Sequence, residues 1–168
     1  MNAETASLGL DTANNRAAAE YDLVKSLLEA ADFRTSDNSV VSIDIRRNGK
    51  FYFSIRLHPL GDDEVRQARK HATVYGKNPQ GAKYPQIEKD FNASLFNSWM
   101  IYLATVQEDQ EKIWGNPSIK EKYGLLQNVE TIDILLRFGE KSALLDQISK
   151  ISGMEEEIFS EPEEYAKN

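Results

Sequence analysis

The sequence has no cysteine among its 168 residues and only two histidines. The absence of cysteine excludes disulfide bonds, thiolate zinc sites and cysteine nucleophiles. The two histidines, His58 and His71, are not spaced as a His-x-x-x-His pair, so the sequence shows no pattern for zinc binding. It also lacks an apolar run of 18 residues, a Gly-x-Ser-x-Gly nucleophile motif and a glycine-rich phosphate loop. We therefore expect no metal, no cofactor, no membrane span and no catalytic activity.

Positive charge is also scarce, because 20 basic residues stand against 27 acidic ones and give a net charge of −7. Phosphate contacts need concentrated Lys and Arg, so this balance argues against nucleic-acid binding. Hydrophobic residues make up 40% of the chain, which is enough for a core. We expect a single, mostly helical α+β domain over residues 20–154, between a flexible leader at 1–19 and a disordered acidic tail at 155–168.

The longest helical pattern spans residues 88–114 and predicts a long central helix around which the domain is built. Large apolar residues recur there at intervals of three and four, the period of an α-helix. Because this stripe is broad, we expect other elements to pack on more than one side of it. Its members are Phe91, Leu95, Phe96, Trp99, Met100, Tyr102, Leu103 and Val106.

Residues 40–57 predict one antiparallel β-hairpin. Apolar and polar residues alternate on both sides of Asn48-Gly49, a pair that suits the two positive-φ positions of a type I′ turn. The apolar face of the second strand would carry Phe51, Phe53, Ile55 and Leu57.

The opposite face of this hairpin is basic, and two interpretations of it stay open. It is either a solvated sheet face whose charges protect the edge, or a nucleic-acid-binding or regulatory surface with an aromatic residue among its cations. The residues of this basic patch are Arg46, Arg47, Lys50 and Arg56, with Tyr52 between them.

Capping signals place the remaining helices. The run Asp62-Asp63-Glu64 predicts a helix that starts there and reaches about Tyr75, since carboxylates favour the first turn. Shorter helices are predicted over 117–123, after a capping Asn128, and over 141–152, where Gly153 suits a left-handed residue after the last turn.

Two apolar pieces near the ends of the chain are candidates for binding a partner. A short amphipathic helix is predicted over 21–31, and it must dock on its own domain or on another chain, because it is marginal alone. The acidic tail contains an apolar pair that forms a candidate short binding motif. The candidate partner-binding residues are Leu23, Val24, Leu27, Leu28, Ile158 and Phe159.

The order of these pieces, more than any single motif, resembles a known family. A basic hairpin leads into Pro59-Leu60, and the later segments include Asp90-Phe91-Asn92, Glu121-Lys122-Tyr123-Gly124 and Gly139-Glu140. Over about residues 20–156 this arrangement is similar to the tail assembly chaperones of long-tailed phages and defective prophages, the XkdN-like group. The sequence departs from the family pattern at Phe138, where Pro is expected, and at Met154, where Phe is common.

The resemblance implies a small cytoplasmic, non-enzymatic protein that is absent from the finished virion. Its implied partners are the tape measure protein, which it would coat, and the tail tube protein, whose polymerisation it would assist. Self-association is left open. The alternative is a nucleic-acid-binding or regulatory module that uses the basic face of the hairpin.

Overall fold

The computed structural model describes residues 4–33 and 39–154, and the chain divides into two units, Met1–Ser39 and Val40–Asn168. In the first unit, helix α1 runs over Glu4–Phe33. It contains the predicted helix at 21–31 and extends from there towards the N-terminus as far as Glu4. Strong helix formers such as Ala, Leu, Glu and Lys dominate its second half. The division into leader, domain and tail stays a prediction, and the tail lies outside the described residues.

The second unit begins with the predicted hairpin, formed by β1 (Val41–Arg47) and β2 (Lys50–Leu57). Asn48 and Gly49 take φ values of 51° and 77°, as the turn requires. A β-bulge leaves Tyr52 unpaired, because Ile45 pairs with Phe53 and Arg46 pairs with Phe51. The prediction that Phe51 lies on the apolar face is therefore wrong: the alternation restarts at the bulge and Phe51 is 48% exposed.

A second hairpin, which the sequence analysis does not predict, follows the next helix. Helix α2 covers Asp62–Ala72, and its acidic start is confirmed, with Glu64 accepting a hydrogen bond from the Gly61 N–H. The chain then forms β3 (Thr73–Gly76), which pairs antiparallel with β4 (Ile87–Phe91). The helix thus ends before Tyr75, because Thr73, Val74 and Tyr75 are β-formers.

The predicted continuous helix over 88–114 is wrong in extent. Helix α3 covers only Ala93–Ala104, and after a break come the short α4 (Gln107–Asp109) and a π-helical turn (Gln110–Trp114). The break occurs at Thr105, which is extended and pairs with Leu57 at the outer edge of β2. On either side of it, the Ala104 carbonyl accepts from the His58 N–H at 2.8 Å and the Val106 N–H donates to the Arg56 carbonyl at 3.0 Å, so sheet hydrogen bonds replace helical ones there.

Helix α3 is nevertheless central to the second unit, since it packs against α2 and against two later helices, α6 (Glu130–Leu135) and α7 (Phe138–Ile151). Its face is rotated from the predicted one. Leu95, Trp99 and Tyr102 of the predicted stripe are half-buried. Met100 of the stripe is buried, together with Ser98, Ile101 and Ala104, which the stripe did not include.

In the C-terminal part of the unit, most of the predicted helix starts and ends agree with the structure. Helix α5 covers Pro117–Tyr123, and Gly153 follows α7 with a left-handed φ of 78°. The Asn128 side chain does not cap α6, because it accepts a hydrogen bond from Lys120. The carboxylate of Glu130 instead accepts hydrogen bonds from the backbone N–H groups of Leu126 and Gln127, just before the helix. Phe138 is the first residue of α7, a position that tolerates proline, so this departure leaves the turn intact.

The core of the second unit lies between the first hairpin and helices α3, α6 and α7, which confirms the α+β class. Trp114 is fully buried, with its ring edge against Phe53 at 6.4 Å between centroids. Its Nε1–H donates to Thr105 Oγ1 at 2.9 Å, and its carbonyl accepts from Thr131 at 2.7 Å. The other buried apolar residues include Ile45, Ile55, Leu57, Ile101, Ile132, Leu144 and Ile148.

Candidate partner-binding surfaces

The α1 apolar face, formed by Leu23, Val24, Leu27 and Leu28, is exposed. These four side chains are between 53% and 60% accessible to solvent. They form two pairs spaced by four residues, so they share one side of the helix. A stable helix normally buries such a stripe, because most helical stability comes from packing. An exposed stripe of this kind is the usual mark of a surface that another helix or chain can cover.

The other two candidate partner-binding residues, Ile158 and Phe159, lie outside the described residues. The structure therefore does not place them beside the α1 apolar face or apart from it. Their role stays a prediction.

In the basic patch, Arg56 is bound to carboxylates. Its Nη2 and Nε donate to Asp109 at 2.6 and 3.1 Å, and its backbone N–H donates to the same carboxylate at 2.9 Å. Its Nη2 also reaches Glu108 at 2.7 Å. The guanidinium of Arg56 holds the pKa of the Asp109 carboxyl below its ordinary value. Arg56 thus fastens β2 to the chain that follows α3.

Arg47 makes an equivalent tie at the other end of the hairpin. Its Nε and Nη2 donate to the two carboxylate oxygens of Glu140, at 2.7 and 2.8 Å. Its Nη2 also donates to the carbonyl of Leu135 at 2.6 Å. Hydrogen bonding to this guanidinium lowers the pKa of Glu140. Bidentate pairs of this geometry are strong and specific. Arg47 therefore links the first hairpin to the junction of α6 and α7.

Little unpaired positive charge remains on this face. Arg46 binds Asp44 at 2.9 Å, and that carboxylate also accepts from Ser54. Lys50 contacts the Tyr52 ring at 5.3 Å and is the only member of the patch without an ion pair in the part of the chain that the structure describes. Two of the four predicted cations, Arg47 and Arg56, thus tie distant elements together and a third, Arg46, pairs within its own strand, which favours the structural interpretation of the patch over the nucleic-acid one.

The sequence analysis missed a set of exposed apolar residues on the second hairpin. We call it the second-hairpin surface and define it as Val74, Tyr75, Tyr84, Ile87 and Phe91. Each of these residues is between 38% and 56% exposed. The available signal was the β-forming run Thr73-Val74-Tyr75 before a loop rich in proline and glycine.

The second-hairpin surface lies in a basic part of the described chain. Residues 66–91 contain six Lys or Arg and two acidic residues, a net charge of +4 within a chain of −7. Arg66 and Arg69 form ion pairs. Among the described residues no ion pair involves the four lysines of this segment, which are Lys70, Lys77, Lys83 and Lys89.

A ladder of rings attaches this region to α3. The His71 imidazole stacks on Trp99 at 3.8 Å between centroids and 8° between planes, and Trp99 meets Tyr102 edge-on. Phe91 lies 5.6 Å from Phe96 and beneath the guanidinium of Arg69. The half-buried Trp99 thus packs against α2 through His71 and is not one of the fully buried core residues.

The carboxyls with clearly shifted pKa values in the described ranges are all bound to arginines. A groove of about 530 Å³ lies between β1 and α7, but it is open and its best-placed carboxylate, Glu140, is held by Arg47. Each carboxyl with a clearly shifted pKa is shifted downward, away from the range in which it could exchange protons at neutral pH. Within 4–33 and 39–154 no group of three His, Asp or Glu could hold a metal.

Two further observations bear on the class of protein. No helix in the described ranges is long and apolar enough to cross a membrane. No curated protein and no solved structure matches the chain.

A family model does match. It describes the phage XkdN-like tail assembly chaperone proteins and aligns with residues 24–167, which covers most of the chain. The match includes the second unit and the part of α1 that begins at Val24. The chain therefore belongs to the XkdN-like family of phage tail assembly chaperones.

Proposed function

We propose that this tail assembly chaperone binds the phage tape measure protein through the α1 apolar face, and that it assists assembly of the tail tube around that protein. The observation that carries the proposal is the exposure of Leu23, Val24, Leu27 and Leu28 on one side of a helix. A long helical client offers matching apolar stripes, and helix-on-helix contact is a common mode of peptide recognition. The family assignment supports a tail component as the partner.

The expected affinity suits a chaperone that must release its client. Covering four half-exposed Leu and Val side chains contributes roughly 4–6 kcal/mol. Association itself costs several kcal/mol, so one such contact is weak and reversible. Many copies could bind independently along a long client, and each could leave when a tube subunit takes its place.

The net charge of −7 fits the same role. A protein that exposes apolar surface must avoid its own aggregation, and mutual repulsion between like-charged molecules opposes it. In this proposal the protein acts in the cytoplasm without catalysing a reaction and leaves before the virion is complete. Its family is one of assembly chaperones rather than of enzymes.

The test uses the full chain and purified helical segments of the tape measure protein. Replacing Leu27→Glu and Leu28→Glu together should reduce affinity at least tenfold in calorimetry, because two charges then face the client. Glutamate has a good helix propensity, so circular dichroism should show an unchanged helix content. The matched control is Asp22→Ala with Lys25→Ala on the other side of the helix, which should bind normally.

Unchanged binding by the Leu27 and Leu28 variant would exclude the α1 apolar face as the contact. Deleting residues 155–168 in a separate variant tests whether Ile158 and Phe159 take part. If neither change alters the solubility of co-expressed tape measure protein, the proposed function is wrong in its choice of surfaces.

A further inference from the structure

The second-hairpin surface and the acidic tail carry opposite charges of similar size. Residues 155–168 contain six glutamates and one lysine, a net charge of −5, against +4 for residues 66–91. The tail also places Ile158, Phe159 and Tyr165 among its glutamates. We propose that segment 155–168 docks on the second-hairpin surface of the same chain. This inference does not depend on what the α1 apolar face binds.

The end of the described chain directs the tail to this region. Gly153 and Met154 close α7 with N–H groups that donate to the carbonyls of Lys150 and Ser149. The Leu60 N–H donates to Ser152 at 3.0 Å, which fixes this turn near the start of α2. Met154 itself lines a shallow depression with Asp62, Val65 and Arg66. Residue 155 therefore begins beside the first turn of α2.

The tail is long enough to reach the surface. Fourteen extended residues span up to about 46 Å. Helix α2 is about 16 Å long and β3 about 13 Å, from their 11 and 4 residues. A path along α2 to the far end of the second hairpin therefore needs no full extension of the tail.

The chemistry of the two partners is complementary in two ways. The glutamates of the tail meet lysines without carboxylate partners in the described chain, chiefly Lys70, Lys77 and Lys83. Tyr165, eleven residues beyond Met154, meets the exposed rings of Tyr75 and Tyr84. Individually such contacts are weak, but attachment to the same chain raises the effective concentration of the tail to about the millimolar range.

One local charge opposes the docking. Asp62 and Asp63 are exposed at the start of α2, close to where the tail begins, and they repel its first glutamates. The attraction must therefore arise farther along α2 and on the second hairpin. This predicts that the middle and end of the tail, rather than Glu155, make the contacts.

The absence of cysteine makes a direct test simple. A Ser160→Cys variant of the full chain accepts one nitroxide spin label, and paramagnetic broadening of backbone amide signals then reports what lies near the tail. We expect broadening within residues 66–91 at low salt and its loss at high salt, because screening shortens the reach of charge interactions to a few ångströms near 1 M. No broadening of these amides at low salt would overturn the proposal.

Two further samples sharpen the test. Lys77→Glu with Lys83→Glu should abolish the broadening, whereas Lys112→Glu with Lys122→Glu, which changes the net charge equally at other exposed sites, should preserve it. Equal loss in both variants would show a dependence on net charge alone and overturn the assigned surface. Broadening in a mixture of isotope-labelled chains and separate spin-labelled chains would show docking between molecules and overturn the intramolecular contact.

Discussion

The two hairpins of this chaperone share a topology but differ in what covers them. In the first, Ile55 and Leu57 are fully buried, and Arg47 and Arg56 are bound to carboxylates on distant elements. In the second, every residue of β4 is exposed and the lysines have no ion pair among the described residues. The comparison teaches that strand pairing alone does not define the role of a hairpin. The first is part of the scaffold, and the second presents a surface.

The physical reason lies in the support that each hairpin receives. An isolated two-stranded hairpin is at best marginally stable. The first packs on the helices and receives the backbone of Thr105 at the edge of β2. The second is held mainly at its base, where the Asn92 N–H donates to the carbonyl of Ala72 and Thr73 Oγ1 donates to the backbone carbonyl of Arg69. Its far end has few buried contacts and should open more readily.

The largest expected effect is a difference in unfolding free energy between truncations in the buried first hairpin and in the exposed second one. Ile55→Ala should cost about 2–5 kcal/mol of unfolding free energy, because it leaves a cavity in the core. Ile87→Ala, at a residue 38% exposed, should cost less than about 1 kcal/mol. Urea melts of both variants measure the difference. Similar losses would show that the second hairpin is packed as tightly as the first, and the comparison would fail.

The next effect tests the tie between the first hairpin and α7. Glu140→Ala removes the bidentate partner of Arg47 and the acceptor of the Arg137 N–H, so it should cost about 1–2 kcal/mol. Asp146→Ala is a matched control, since it removes an exposed carboxylate from the same helix that has no ion pair within the described residues. Equal melting midpoints for the two variants would mean that the tie does not stabilise the fold.

The same ties predict a dependence of stability on pH. Arg56 and Arg47 lower the pKa values of Asp109 and Glu140 from ordinary values of 3.8 and 4.5. Their contribution is therefore complete above these values and is lost as pH falls through the lower values of the folded state. Urea melts between about pH 5 and pH 2 should show this loss in the natural sequence. If the unfolding free energy of the double variant Asp109→Asn with Glu140→Gln fell as steeply with decreasing pH, the loss would belong to other groups.

Elements marked by local signals could be predicted from the sequence. Asn48-Gly49 sets the first turn, the acidic run at 62–64 starts α2, and Gly153 ends α7, since each acts through its own backbone or its immediate neighbours. The α1 apolar face could also be placed on a helix from its spacing alone. These predictions needed no knowledge of distant residues.

The predictions that failed depended instead on residues far away in the sequence. The break at Thr105 depends on Leu57, 48 positions earlier. The roles of Arg56 and Arg47 depend on carboxylates 53 and 93 positions away, so their sequence context showed only a row of cations. The second hairpin was missed because the apolar spacing of 88–106 also fits a helix. Periodicity could not choose between the two structures without the neighbours that decide it.

The smallest expected effect concerns the lysines of the second hairpin. Lys77→Ala and Lys83→Ala should each change the unfolding free energy by less than about 0.5 kcal/mol, because neither side chain has a carboxylate partner in the described chain. Arg47→Ala should destabilise the protein more than either, since it leaves the Glu140 carboxylate of α7 without its partner. Melts of the three variants at one salt concentration make the comparison. If the lysine variants lost as much stability as the Arg47 variant, their charges would serve the fold, and the second hairpin would belong to the scaffold like the first.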